Sequence, residues 1–510
     1  MVRTVRETER KYEAGDGGVD LPTLVGRLAG AVGGPVPAGP AQLALSAVYY
    51  DTDDLRLARA GQTLRRRRGG DDPGWHLKLP VGRDTRDEVR LPLGRSNRPP
   101  EQLIELTRAA HRGAALAPVA QLDNRRRQWV LTGDDGRPLA EVVDDRVTAT
   151  RPGDASAPMS WGEIEVELAE GADPEILDRI ETELLAAGAR RSASASKLGR
   201  VLADRLGDGP PQPRARRKSP AGEALLAYLW QQAAAIRRTD PAVRRGLPDA
   251  VHQMRVACRR MRSAVQVFAP LLDAERVAGL TDELRWLAGE LGAARDLEVL
   301  EERIEARVAE LPPELVLGPV PAQLTRYFAG RRAEAARAAT AALDSDRYLE
   351  LLGRIDALLA DPPLTGRAGR PARQEMPDRV RRSLRRTERA LRDADAHPPG
   401  EARDIALHGM RKAAKRLRYA AEVSEPVVGK NATRLVDEVK AVQELLGDRQ
   451  DGVVARPVLR ELGAAAHAQG ENGFTYGLLY RDEEARAERA EAGLDDAWAR
   501  LRGRAQWLHG

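Results

Sequence analysis

Near residue 210 this chain changes its hydrophobic period, and no single architecture accommodates both halves. Before that point, short segments alternate apolar with polar residues and break at Gly, Asp or Pro. Examples are ALSAVYYDT (44–52), TLRRRR (63–68), WHLKLP (75–80), EVRLPL (88–93), RRQWVLT (126–132), PLAEVVDD (138–145) and GEIEVEL (162–168). A period of two predicts antiparallel strands, and LTGDDGRPLAEV predicts a hairpin with Asp-Asp-Gly at its tip. Helical spacing interrupts at 20–33 and at 173–188, the latter through Ile176, Ile180 and Leu184. After the Pro-, Gly- and Arg-rich stretch 207–220, Ala, Leu, Glu and Arg dominate and prolines are expected only between helices. The predicted class is α+β in two domains, a mostly β unit over 1–205 and an all-α unit over 219–508, joined by a linker at 206–218.

Composition narrows the function classes. The 510 residues exceed one ordinary domain. No stretch approaches 18 uncharged apolar residues, so no membrane-spanning helix is expected. The start, MVRTVRETERKYE, has no apolar core and does not read as a secretory signal. A single cysteine, Cys258, rules out an internal disulfide and favours a cytoplasmic setting. Residues 1–210 hold 31 Lys+Arg against 33 Asp+Glu, whereas 211–510 hold 51 against 44. Arginines outnumber lysines 74 to 8, so arginine supplies the generic positive charge and the positions of the few lysines are informative.

The helical half repeats itself. His252, Arg255, Arg259 and Arg262 recur as His408, Arg411, Lys415 and Arg418 at an offset of 156, and LGAARD (291–296) recurs as LGDRQD (446–451) at 155. This order predicts a duplicated unit of about four helices per copy. On a helix the basic residues form one stripe beside an apolar stripe of Met254, Cys258, Met261, Val265 and Phe268. Like charges at i, i+4 repel, so such a row is better tolerated where a polyanion neutralises it. Aromatics make up only 4% of the chain and none lies in the basic stripes, which disfavours nucleic acid and favours a phosphate polymer without bases. Asp296 and Asp451 read more simply as helix caps or arginine partners than as metal ligands. The arginines of 379–389 add a third basic helix without motif support.

In the β half, Glu7, Glu9 and Lys11 share one face of an extended strand. Two carboxylates beside an ammonium suit a hard cation such as Mg²⁺ or Mn²⁺ held next to phosphate. Arg65 and Arg67 share a face, Lys78 lies in WHLK, Glu141 and Asp145 in EVVDD, and Glu163, Glu165 and Glu167 alternate in EIEVE. Lys11, Lys78 and Lys197 are the only lysines before residue 211, and each sits in a charged motif. A sheet closed into a barrel would turn these faces into a charged tunnel.

These motifs in this order (ETERK, GQTLRRR, WHLKLP, EVVDD, EIEVEL, SASK) make residues 3–200 resemble the CYTH family, the triphosphate tunnel metalloenzymes. Residues 219–508 resemble the CHAD domain through the paired His/Arg helices and the LG…D segments. The resemblance implies an eight-stranded antiparallel tunnel, a helical domain with a pseudo-twofold repeat, and metal-dependent hydrolysis of inorganic tripolyphosphate or polyphosphate. It implies Glu7, Glu9 and Lys11 as catalytic residues, with metal held by Glu7, Glu9, Glu141, Asp145, Glu163, Glu165 and Glu167. Phosphates would be gripped by Arg65, Arg67, Lys78, Lys197 and part of the Arg125–Arg127 run, where Arg125 and Arg127 are favoured because they share a face. Polyphosphate would be bound by His252, Arg255, Arg259, Arg262, His408, Arg411, Lys415 and Arg418. The alternatives are a non-enzymatic polyphosphate binder associated with granules, or an enzyme for an organic triphosphate such as thiamine triphosphate or ATP. Trp75, Trp129 and Trp161 are expected to pack strands rather than stack a base.

Overall fold

The computed structural model describes residues 3–14, 18–154, 157–207 and 212–508. The chain divides into two units, Met1–Pro210 and Pro211–Gly510; residues 208–211 of the expected linker lie outside the described residues. In the first unit, eight strands form one antiparallel ring. They are β1 (Arg3–Ala14), β2 (Ala41–Asp51), β3 (Thr63–Arg68), β4 (Gly74–Pro80), β5 (Thr85–Pro92), β6 (Ala117–Thr132), β7 (Pro138–Thr150) and β8 (Met159–Leu168). Their order runs β5-β4-β3-β2-β6-β7-β8-β1, and β1 pairs back onto β5 to close the barrel. A short β9 (Ala189–Arg191) pairs with the end of β1. Closure leaves the eight-stranded ring no open edge, and the eight-stranded tunnel that the CYTH resemblance implies is present.

The barrel is inverted: charge faces in, and the apolar cores lie on its outside. α1 (Leu21–Ala31) and α2 (Glu175–Ala186) bring Leu24, Leu28, Ile180 and Leu184 onto Trp129, Val142, Ile164 and Val166. Elsewhere Trp75, Leu77 and Leu79 pack against Leu57 and Leu103 from short helices at Arg56–Arg59 and Glu101–Leu106. Those single turns escape periodicity. The first is held by the Asp51 carboxylate, which accepts the backbone N–H groups of Leu57 at 2.8 Å and Ala58 at 2.9 Å. Trp75 and Trp129 thus serve packing, as expected, and Trp161 is half-buried with its indole N–H donating to Glu163 at 2.6 Å.

One part of the tunnel wall is apolar. Ala47, Tyr49, Leu122 and Val147 meet Leu198, Val201 and Leu202, which belong to or directly follow α3 (Lys197–Val201). Ser196 caps this helix by accepting the Gly199 N–H at 2.9 Å. The cap fixes Lys197 at the first helical position, beside the charged part of the wall.

The second unit is helical: α4 (Ala221–Arg244), α5 (Ala250–Val267), α6 (Leu280–Glu290), α7 (Gly292–Glu310), α8 (Val320–Asp344), α9 (Asp346–Ala360), α10 (Ala372–Asp395), α11 (Glu401–Val428), α12 (Lys430–Ala468), α13 (Phe474–Ala492) and α14 (Leu494–Arg504). The copies are α4–α9 and α10–α14, so six and five helices replace the four expected for each. The difference within the repeat is local. Helix α12 runs through Leu446-Gly447, whereas the chain breaks at the equivalent Leu291-Gly292 to give α6 and α7. Met254, Cys258, Met261, Val265 and Phe268 are all buried, as their stripe predicted. The expectation that prolines fall between helices is corrected: Pro241, Pro377, Pro426 and Pro457 lie inside them. An interior proline costs about 3 kcal/mol. At Pro457 the flanking Ala455 and Leu459 pack into a core with Leu300, Ile304 and Phe328, and this burial offsets the missing hydrogen bond.

Candidate active site and anion-binding face

Alternation along the strands places Glu7, Glu9 and Lys11 of β1, Arg65 and Arg67 of β3, and Lys78 of β4 on a cavity of about 810 Å³ inside the barrel. Arg86 and Arg90 of β5, Arg126 of β6, Glu141 of β7, Glu165 and Glu167 of β8, and Lys197 line it too. Most of these charges are matched. Lys78 Nζ lies 2.7 Å from Glu7 and 3.8 Å from Glu9, Arg90 2.6 Å from Glu7, and Arg86 3.1 Å from Glu9. Lys197 Nζ reaches Glu163 and Glu165 at 2.7 Å and Asp145 at 2.9 Å. Lys11 is paired with Glu165. Burial alone would raise these carboxyl pKa values, but neighbouring cations overcome it: Lys11 and Lys78 hold Glu9 down to about 2, and Lys11 and Lys197 hold Glu165 well below the usual range.

Two carboxylates break the pattern. Register places Glu9 opposite Glu167 and Glu167 opposite Glu141, a row of acids across β1, β8 and β7. Like charges directly opposite repel. Among the described residues, neither Glu141 nor Glu167 has an ion-pair or hydrogen-bond partner. Burial, with Glu7 next, pushes Glu167 up to about 8, and burial also raises Glu141. Two tighter groups have ligand atoms within 4.8 Å of one another, Asp72-His76-Glu88 and Asp145-Glu163-Glu165. Each is already filled by cationic side chains. Arg90 pairs with Asp72 at 3.1 Å and also with Glu88, while Lys197 sits among the second trio. The acids left without a cation are therefore Glu141 and Glu167, and with Glu9 opposite Glu167 they form an all-oxygen donor set that fits a hard divalent cation.

The structure brings the sequence-predicted residues of β1, β3, β4, β7, β8 and α3 to this interior and corrects one register. Arg125 is exposed and Arg127 turns outward to Asp144, over the Trp129 ring at 5.8 Å. Arg126 points inward, donating to Asp145 at 2.7 Å and to Glu165 at 3.0 Å. In the sheet Arg126 stands opposite Asp145, but the register shifts between Leu131 and Thr132, so counting back from the Asp-Asp-Gly tip alone would set Asp144 there. The sequence reading also omitted Arg90 and gave no role to His76. His76 Nδ1 lies 3.2 Å from Glu88, and burial lowers its pKa to about 4, so it is neutral there.

In the helical unit the two basic rows face each other. Arg255 donates to the Gly292 carbonyl at 3.1 Å and to Asp296 at 3.0 Å; its counterpart Arg411 lies 3.8 Å from Asp451 and packs on Gly447. The repeated LG…D segments are thus arginine seats. His408 Nδ1 contacts Gln450 at 3.0 Å, and burial lowers the pKa of both His252 and His408. Arg418 donates to Gln443 at 2.9 Å and pairs with Glu422 at 3.1 Å. Arg259, Arg262 and Lys415 have no acidic partner within ion-pair distance among the described residues. Lys415, half-buried beside Arg411, Arg259 and Arg255, is pushed down to about 7, by burial first and then by those charges. An ammonium in that state is short of an anion.

The CYTH domain model matches residues 7–201 and the CHAD domain model residues 227–460. MT2285 of Mycobacterium tuberculosis strain CDC 1551 / Oshkosh is 39% identical over 515 residues, covering 97% of this chain and 96% of that protein. Among solved structures, PptA from Streptomyces chartreusis matches at 22% identity and a TM-score of 0.46, over 55% of this chain and all of that one. The CHAD domain from Ricinus communis matches at 28% and 0.44, over 58% of this chain and 97% of that one. No helix among the described residues is long and apolar enough to cross a membrane. The chain belongs to the CYTH–CHAD proteins, a CYTH domain followed by a CHAD domain.

Proposed function

We propose that the barrel is a metal-dependent phosphohydrolase for inorganic tripolyphosphate or polyphosphate, and that the basic face of the helical unit binds polyphosphate. The observation that carries the first half is the row Glu9–Glu167–Glu141, with its two acids lacking a cationic partner. Mg²⁺ or Mn²⁺ held there by these carboxylates, with Glu7 adjacent, would neutralise phosphate oxygens and polarise the terminal phosphorus. Lys78, Arg86, Arg65 and Arg126 grip the rest of the chain by exchanging carboxylate partners for phosphate oxygens, and the matched charges around them keep this grip preorganised. Among the described residues Tyr49 is the one aromatic lining the cavity, and its hydroxyl lies 3.3 Å from Arg65, which favours inorganic phosphate over a stacked base. The second half rests on the unpaired Arg259, Arg262 and Lys415.

The test is phosphate release by the full chain from tripolyphosphate, long-chain polyphosphate, ATP and thiamine triphosphate, with Mg²⁺ or Mn²⁺ and with chelator. Metal-dependent release from the inorganic substrates, abolished in Glu9→Gln, is expected. Release mainly from an organic triphosphate, or turnover retained in Glu9→Gln, would overturn the assignment. Silence across the panel from a folded protein that still binds polyphosphate would leave a binding protein.

A further inference from the structure

Duplication gives the helical unit two equivalent grooves whose chemistry has diverged. Helices α4 and α10 start at antiparallel-bridged residues, Pro220 and Pro371. From that pairing Tyr228 corresponds to Arg379 and Gln231 to Arg382. Burial supports the match, because Leu225, Leu229, Gln232 and Ala233 are buried and so are Met376, Val380, Ser383 and Leu384. The α5/α11 alignment likewise pairs Arg260 with Arg416 and Gln266 with Glu422.

In the first groove the positive charge is cancelled. Glu422 accepts from the Tyr228 hydroxyl at 2.7 Å and pairs with Arg260 at 3.1 Å. In the second groove Gln266 stands where Glu422 would, and Arg379 where Tyr228 would. Arg416 there has no acidic partner, and neither do Arg382, Arg385, Arg386, Arg389 or Arg392 among the described residues. Of the five on α10, four replace Gln231, Ala234, Ala235 and Pro241 of the other copy, and Arg389 has an arginine, Arg238, as its counterpart. Arg379 is 2% exposed and lines the groove; its Nε has no hydrogen-bond partner among the described residues, and one Nη lies 3.6 Å from Glu375. Among the described residues no aromatic lines this cavity of about 870 Å³. It also continues into the symmetric basic face: Arg416 lies within electrostatic range of both Arg386 of α10 and Arg262 of α5.

We infer that the α10 groove is a second phosphate-polymer site, which takes the segment of an inorganic polyphosphate chain leaving the symmetric His/Arg face through Arg262 and Arg416. The path is one-sided, because the equivalent exit past Arg260 is closed by Glu422. This inference rests on the proposed polyphosphate binding at the symmetric face and extends it.

The test uses the full chain with chelator and long-chain polyphosphate, reading affinity against salt concentration. Arg382→Gln, Arg385→Ala and Arg386→Ala together install the residues of the other copy at exposed helical positions. By counterion release, loss of three contacts should flatten the log-log salt slope by about 2 to 3. Arg259→Gln with Lys415→Gln should also weaken binding, and replacing the exposed Arg434, Arg460 and Arg489 by Gln should not. Loss in the second variant but not in the α10 variant overturns the groove alone. No loss in the second variant overturns the reading on which the groove rests. Equal loss in the exposed-arginine control reduces the effect to net charge and refutes the site. An α10 variant that loses single-stranded RNA or anionic vesicles while keeping polyphosphate also refutes it. Thermal unfolding of each variant separates these outcomes from misfolding.

Discussion

If the helical face binds polyphosphate as proposed, Lys415 should make that binding dependent on pH. Its pKa of about 7 is set first by burial and then by Arg411, Arg259 and Arg255, with Asp451 opposing them. A bound polyanion supplies the missing negative charge, so the complex takes up a proton at Lys415 above pH 7. If binding restores an ordinary lysine value, linkage weakens affinity by about 50-fold between pH 7 and 9 and by less than about twofold between pH 6 and 7. Stability of the unliganded protein moves the other way. Between about 7 and 10.5 the unfolded chain holds more protons at this site, so stability rises with pH, by at most about 1.4 kcal/mol per pH unit. The assay is calorimetric titration of long-chain polyphosphate with chelator at several pH values, in two buffers of different ionisation enthalpy, so that protons taken up are counted. Lys415→Arg keeps a permanent charge and should bind with little dependence on pH. Lys78 and Lys197 in the barrel are held charged by their carboxylates and add no slope over this range. A wild-type affinity flat from pH 7 to 9, or an equal slope in Lys415→Arg, would refute the reasoning.

Four further outcomes are expected. Mg²⁺ or Mn²⁺ binding near pH 7 should release close to one proton from Glu167, whose pKa is about 8; Glu167→Gln should lose both the proton and most of the metal affinity in the same titration. Arg126→Gln should lower kcat/KM for tripolyphosphate by about 10- to 100-fold through loss of a charge-assisted contact, while Arg125→Gln stays near wild type. Glu422→Gln should release Arg260 and steepen the salt dependence of polyphosphate binding by about one contact. Phe268→Ala, at a fully buried position, should lower unfolding free energy by about 3–5 kcal/mol in denaturant titration.

Period and residue type carried most of the architecture. The alternation in PLAEVVDD and GEIEVEL placed acids on one face and Val142, Ile164 and Val166 on the other, and only the direction of the acidic face needed closure to decide. What stayed hidden depended on long-range register. Three consecutive arginines offer two faces, and the choice of Arg126 is made by pairing with Asp145 nineteen residues later. His76 reads as an ordinary strand residue until β5 brings Glu88 beside it. The LG…D repeat was visible as a repeat, but its seating of Arg255 and Arg411 required the helices to be packed.

Under the proposed function the two units would hold phosphate in opposite ways, and this makes the reading separable by experiment. Inside the barrel nearly every cation already has a carboxylate, so an incoming anion must displace Glu7, Glu9 or Glu165 from Lys78, Arg86 or Arg126. That exchange is unfavourable unless another positive charge takes over the abandoned acids, which ties anion entry to a divalent cation at Glu9, Glu141 and Glu167. On the helical face, Arg259, Arg262 and Lys415 have no acid to abandon among the described residues, so an anion would need no metal there and burial of like charges would favour it directly. Chelator should therefore remove tunnel binding and leave helical binding intact, whereas added salt should weaken the helical face first. Tripolyphosphate affinity that falls on chelation while long-chain affinity persists is the expected pattern. Equal loss of both would mean that the helical face binds phosphate only through a metal, against the charge distribution seen there.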